Sequence, residues 1–301
     1  MRKNVLLSCL VAVLAGSFSA RGQQPAKELQ PPLDRPGASG RKAAPATGVG
    51  KTGEGKVVFK DPSGDDDGPG KYVYPTDPVY KPGSFDLTGL EVSEEGGKVT
   101  FAVSVSSELE DPWGMPQPAS FSVQTELVFV QTGPGGTTKG VPGLNVQFAP
   151  GDAWNKVIVL SPQPAGRVKS ESKAKAKDIL DRIVVPDEVR GQGRTITATV
   201  DKALLGEGDI ASWGYQVVSQ SNEGFPDKTD LLTRKVNEYE GQHRFGGGTD
   251  TDCDPHVMDV LAGKAVGERS EVEEQHRMLA YECTPEGAAR KLATLELVRR
   301  R

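Results

Sequence analysis

Val99-Thr100-Phe101-Ala102-Val103-Ser104-Val105-Ser106 alternates strictly: Val99, Phe101, Val103 and Val105 fall on one side of an extended chain, and the small or polar Thr100, Ala102, Ser104 and Ser106 on the other. A period of two marks a strand with one face buried and the other wet. Phe121, Val123, Leu127 and Phe129 repeat the pattern over a longer run that stops at Gly133-Pro134-Gly135-Gly136. Further strands are expected over 56–59, 85–92, 154–160, 179–185, 195–200 and 213–219, and a last one over 293–298. Short strands separated by Gly/Pro turns predict a mostly-β fold, an antiparallel sandwich or barrel, and the β-sandwich with long loops is the architecture expected. One short C-terminal helix is signalled, where Ser270 and Glu273 form a capping box ahead of Val272, Met278, Leu279 and Tyr281.

The N-terminus carries Arg2 and Lys3, an apolar run over 5–15, and then Gly16, Ser17, Ser19 and Ala20. That is the layout of a secretory signal peptide, assigned to 1–22. The run is too short to span a bilayer, and no later stretch approaches the ~20 apolar residues that a span needs. Cys9 lies too close to the basic start to follow the apolar core of a lipoprotein signal. The expected location is therefore exported: periplasmic, cell-surface or extracellular, with no transmembrane span. Residues 23–53 are rich in Pro, Ala, Gly and Lys and lack aromatic residues, which makes them a disordered linker. Gly48-Val49-Gly50-Lys51-Thr52 inside it has Pro45 where a phosphate-binding loop needs its first Gly, and no strand precedes it. The folded module is expected over 54–298, with Arg299-Arg300-Arg301 as a solvated basic tail.

Net charge is −5, from 36 basic and 41 acidic residues, which argues against nucleic acid as a partner. Once the signal is removed, Cys253 and Cys283 remain. In an oxidising compartment they read as one disulfide, with two buried thiols as the alternative.

Two acidic segments stand out. In Asp61-Pro62-Ser63-Gly64-Asp65-Asp66-Asp67-Gly68, four carboxylates fall within seven residues. Such a set repels itself unless a cation or solvent screens it, and calcium takes six to eight oxygen ligands of this kind. Asp61, Asp65, Asp66 and Asp67 are thus candidate calcium ligands, the alternative being a solvated acidic turn. The loop is not an EF-hand, since Asp66 stands where that motif needs Gly and Tyr72 where it needs Glu. In Phe245-Gly246-Gly247-Gly248-Thr249-Asp250-Thr251-Asp252-Cys253-Asp254-Pro255-His256-Val257-Met258-Asp259, Asp250, Asp252 and Asp254 offer a second cation site, a completion of the first, or ordinary turn chemistry.

His243, His256 and His276 show no metal-ligand spacing. Met258 with a histidine leaves haem ligation as an alternative. No Gly-x-Ser-x-Gly or Cys/His nucleophile pattern occurs, so catalysis is not expected. Trp213, Tyr215 and Val217 share one strand face and read as core. Tyr72, Tyr74 and Trp113 are the candidate sugar-stacking residues, with Tyr72 and Tyr74 expected to be exposed on the acidic loop.

Asp61-Pro62 through Pro75-Thr76, with Lys81-Pro82-Gly83-Ser84-Phe85-Asp86-Leu87, Asp111-Pro112-Trp113, Val141-Pro142-Gly143 and the distal segment from Phe245 to Asp259, resembles the C-terminal binding module of glucodextranase. Similar modules occur in amylase-pullulanase-type enzymes and surface proteins. The resemblance implies a β-sandwich like those of carbohydrate-binding and DOMON-type domains, and binding of carbohydrate or cell-envelope polysaccharide, or of another envelope protein, without hydrolysis. In glucodextranase the module trails a catalytic domain. Here it follows only a signal and a linker, so this chain is expected to act alone or through a partner. The competing expectations are a structural or adhesive surface protein with purely structural calcium, and a haem-binding electron-transfer sandwich.

Overall fold

The computed structural model describes residues 55–222, 230–262 and 270–300; the segments expected to be a signal peptide and a linker lie outside them. The strands are β1 Lys56–Lys60, β2 Leu87–Glu95, β3 Lys98–Val105, β4 Gln124–Gln131, β5 Val146–Phe148, β6 Lys156–Leu160, β7 Ile183–Val184 and β8 Val189–Gln192. They continue as β9 Thr195–Asp201, β10 Gly214–Ser221, β11 Asp259–Val260, β12 Glu282–Cys283, β13 Ala289–Lys291, β14 Ala293–Leu295 and β15 Val298–Arg299. The α-helices are α1 Ala165–Lys175 and α2 Glu271–Leu279.

A five-stranded antiparallel sheet runs β1-β2-β3-β9-β8. A second sheet runs β11-β10-β4-β6-β7, with β15 also on β10. Its pairings are antiparallel except β6 with β7, which is parallel. The period of two in β3 does what it predicts. Val99, Phe101, Val103 and Val105 enter the core between the sheets, while on the other face Thr100 and Thr199 share a hydroxyl hydrogen bond of 2.8 Å, and Ser104 and Thr195 one of 3.0 Å.

β4 behaves differently from the alternation read in 121–129. Both of its faces are buried: Val128 and Val130 meet the inter-sheet core, while Leu127 and Phe129 face a second core beneath β5, α2 and β14. A strand covered on both faces reads as continuously apolar rather than alternating. Trp213, Tyr215 and Val217 are core residues, as their shared strand face predicts.

Four local expectations are corrected. Helix α1 was not expected, because Val168 is its one large apolar residue, Pro164 at its N-cap supplies no side-chain hydrogen bond, and so no apolar period announces it. Residues 179–185 are not one strand, since a 3-10 helix over Lys177–Arg182 precedes the two-residue β7. The last strand is split, β14 pairing parallel with β5 and β15 antiparallel with β10. Arg299 is not part of a solvated tail: it pairs with Gly214 in β15 and donates to Asp152 at 2.7 Å and Gln131 at 2.5 Å.

The capping box of α2 is present. Glu273 N–H donates to Ser270 Oγ at 3.2 Å, and Ser270 N–H to Glu273 Oε2 at 2.6 Å. Met278 and Leu279 then seat the helix on the second core. Cys253 and Cys283 form a disulfide with Cα atoms 6.0 Å apart, closing a sequence separation of 30 residues. On the chain-entropy account a loop of that length is worth about 3–4 kcal/mol. The double variant Cys253→Ser with Cys283→Ser is therefore expected to lower the urea midpoint, with an m-value no smaller than the parent's because the unlinked unfolded chain is less compact. An unchanged midpoint would show that packing alone holds the segment.

Candidate metal centre

Three segments deliver carboxylates to one interior point. Asp61 follows directly on β1, Asp65 lies four residues further along the loop, and Asp259 opens β11. The loop turns tightly between Asp67 and Tyr72, where Gly68 sits at φ +61 and a Cβ there would lie 2.3 Å from the Tyr72 ring. Asp61, Asp65 and Asp259 each place a carboxylate oxygen within 4.8 Å of the others, and all three are buried. Asp65 and Asp259 are 0% exposed.

Backbone donors orient this set. Ala262 N–H donates to Asp61 Oδ1 at 3.1 Å, and Leu87 N–H to Asp259 Oδ2 at 2.7 Å. The remaining oxygens, Asp61 Oδ2, both of Asp65 and Asp259 Oδ1, find no hydrogen-bond partner among the described residues. Asp86 adjoins the set: Gly64 N–H donates to its Oδ2 at 2.9 Å, and its Oδ1 is likewise unpartnered. On α2, Gln275 holds the loop to the sandwich. Its Nε2 donates to the Asp65 carbonyl, and its Oε1 accepts from Val260 N–H at 3.1 Å.

Electrostatics agree with the geometry. Burial first, then the Asp86, Asp66 and Asp67 charges, push the Asp65 carboxyl up to about 8. Burial followed by Asp65 raises Asp61 well above the ordinary carboxylate range, and burial followed by Asp65 and Asp61 does the same to Asp259. Burial and Asp66 lift Asp86 to about 7. Two carboxylate charges 4.8 Å apart repel by about 3–4 kcal/mol at an effective dielectric near 20. An ionised carboxylate without a partner is costly to bury. A divalent cation removes both penalties, and an all-oxygen carboxylate set matches hard ions such as calcium rather than zinc.

The other candidate ligands lie elsewhere. Asp66 accepts from the Tyr74 hydroxyl, and Asp67 pairs with His276 at 3.0 Å. Asp254 is buried and accepts from Thr249 N–H at 3.1 Å and Thr249 Oγ1 at 2.6 Å. Asp252 pairs with His256 at 2.7 Å and Lys235 at 3.2 Å. Asp250 is exposed beside the Glu238 carboxyl. Of the second acidic segment, Asp259 is thus the residue that reaches the first, while Asp250, Asp252 and Asp254 are engaged with their own neighbours. Sequence reasoning passed over Asp259 and Asp86. Each is an acid inside an apolar stretch, Val257-Met258-Asp259-Val260-Leu261 and Phe85-Asp86-Leu87, and that interruption was the available signal.

The expected exposure of Tyr72 and Tyr74 is also corrected. Tyr72 is 6% exposed and donates to the Pro255 carbonyl at 2.6 Å, while Tyr74 and Trp113 are half-buried. All three pack in or against a third apolar cluster with Tyr80, Phe85 and Phe245. Met258 belongs to that cluster too. Val236 N–H donates to His256 Nδ1 at 3.1 Å, which leaves Nε2–H for Asp252, so both ring nitrogens are used.

Residues 57–297 match the family described as the C-terminal binding-module, SLH-like, of glucodextranase. No curated protein shows a significant match to the chain. No helix among the described residues is long and apolar enough to cross a membrane.

Proposed function

Because the chain belongs to the family of C-terminal, SLH-like binding modules of glucodextranase, we propose that it is an exported, non-catalytic module that binds carbohydrate of the cell envelope, with calcium stabilising its acidic loop. The observation that carries this reading is the extent of the match, which runs from β1 to the residue before β15 and so takes in both sheets. The signal-peptide layout of residues 1–20 supports export. The oxygens left unpartnered on Asp61, Asp65 and Asp259 support the calcium part.

Tyr239 is the place to look for sugar contact. It is 72% exposed, and among the described residues it is the aromatic one of the three exposed large hydrophobic side chains, the others being Val73 and Leu204. Loss of a stacking ring is worth about 1–1.5 kcal/mol, roughly tenfold in affinity. Tyr239→Ala is therefore expected to weaken retention on immobilised polysaccharide about tenfold, with a melting temperature within about 1 °C of the parent. Absence of wild-type binding across α-glucans, β-glucans and wall material would sink the carbohydrate reading.

The burial of Tyr72 and Tyr80, and the half-burial of Trp113, favour a second reading, a structural or adhesive surface protein. In that case calcium raises the melting temperature and no sugar does.

A further inference from the structure

The carboxylate centre joins two well-anchored elements to one that is weakly anchored. β1 is an edge strand of five residues, paired on one side with β2. It buries Val57 completely and rests Phe59 half-buried against Tyr215, with ring centroids 5.5 Å apart. Residues 61–72 beyond it form no strand. At its far end this segment is held by Asp67 on His276 at 3.0 Å and by the buried Tyr72, whose hydroxyl donates to the Pro255 carbonyl. Between β1 and that end its ties are single hydrogen bonds: Asp61 N–H to the Thr88 carbonyl at 3.2 Å, Ala262 N–H to Asp61 Oδ1 at 3.1 Å, Gly64 N–H to Asp86, Gln275 to the Asp65 carbonyl, and Gly68 N–H to the Met258 carbonyl at 2.8 Å. Asp259, in contrast, is fixed in β11 on the well-buried β10, and Asp86 leads directly into β2.

We infer that a calcium ion held by Asp61, Asp65 and Asp259 fastens residues 56–72 to the sandwich as a strap, with Asp86 as a positioning residue that holds the loop at Gly64. This rests on the calcium reading above and deepens it, since it names the ligands and the segment that the ion controls. Asp61 and Asp65 sit on the strap, and Asp259 on the body to which it closes. Without a cation, closing the strap drives two carboxylates against a third in a dry interior, and the contact is repulsive. With a divalent cation between them, the same contact becomes the strongest tie that the strap has. The orienting N–H groups of Ala262 and Leu87 turn one oxygen each of Asp61 and Asp259 outward, which leaves the other for the ion. Asp66 and Asp67 take no part, because Tyr74 and His276 already engage them.

The test is hydrogen exchange read by mass spectrometry on the purified protein, in millimolar calcium and in chelator, with calorimetric titration of calcium alongside. On chelation, amides in 56–72 are expected to exchange at least tenfold faster and well ahead of those of β3, β4 and β10, which stay protected to the level of the remaining global stability. Asp259→Asn, whose change lies outside the strap, is expected to show the fast strap exchange even in calcium, and Asp65→Asn provides a second variant. Asp67→Asn is expected to behave as wild type. Equal strap exchange with and without bound calcium overturns the inference and leaves calcium binding standing. Strap amides that exchange in chelator no faster than those of β3, β4 and β10 overturn it as well, because the strap would then open only with the whole fold. No calorimetric binding of calcium removes the calcium reading and the strap together. The carbohydrate assay fails or succeeds independently of all these outcomes.

Discussion

Removing calcium is expected to lower the melting temperature by about 8–16 °C, and Asp259→Asn to abolish most of the difference between the calcium-loaded and chelated protein. A ligand present at a thousandfold excess over its dissociation constant stabilises the state that binds it by about 4 kcal/mol. In a module of this size each kcal/mol moves the midpoint by about 2–4 °C. The effect falls on Asp259 because its Oδ1 is one of the unpartnered oxygens at the centre, and because it joins β11 to the loop carrying Asp61 and Asp65. Magnesium is expected to do less. It demands a near-ideal octahedron and gives up its waters reluctantly, whereas this site is interior and its carboxylates are already fixed by backbone donors. Thermal scans in calcium, magnesium and chelator decide the matter. Overlapping transitions in all three, with the wild-type protein, would show that the centre holds no stabilising ion.

The second large effect concerns a carboxyl away from that centre. Glu126 lies on β4 opposite Ser219 of β10 and is completely buried. Ser219 Oγ donates to its Oε1 at 3.1 Å, and its Oε2 has no partner. Burial pushes this carboxyl up to about 8 from an ordinary 4.5. A group raised in the folded state stabilises fully below its unfolded value, and that contribution is lost as pH rises toward the folded one. Between pH 4.5 and about 8 the protein therefore gives up about 1.4 kcal/mol per unit, with an upper bound near 5 kcal/mol. Glu126→Gln keeps the acceptor for Ser219 and removes the charge. It is expected to be nearly neutral at pH 5 and to stabilise by about 3–5 kcal/mol at pH 9. Denaturant unfolding at the two pH values measures this directly. A variant whose stability relative to wild type is the same at both would show that Glu126 does not change protonation on unfolding across that range.

The fold was legible where one face of a strand is wet. In β3 the outward Thr100 and Ser104 keep the period of two visible, and the core residues follow from it. Legibility falls where burial is two-sided or where an element has almost no buried face. β4 is buried on both sides, so its reading assigned Leu127 and Phe129 a single core face when β4 in fact serves two cores. Helix α1 is mostly polar and escaped notice altogether. The α2 capping box is a contact between residues three apart, and it was readable because nothing distant is needed to form it.

The chemistry of the site divides along the same line. Composition and local order alone determine that an acidic, glycine-rich loop follows a strand and that its carboxylates need screening. The β-rich class was within reach of strand periodicity, and the family within reach of the resemblance that the loop motifs carry; both are local features of the chain. Which carboxylates meet was decided only by tertiary structure. Asp61 and Asp259 are nearly two hundred positions apart, and a one-residue change of register in β11 would turn Asp259 to the opposite face. Sheet pairing brings Asp259 inward and lets Tyr74 and His276 draw Asp66 and Asp67 aside. The neighbours in sequence that looked like ligands are thereby separated, and a distant aspartate hidden in an apolar strand completes the centre.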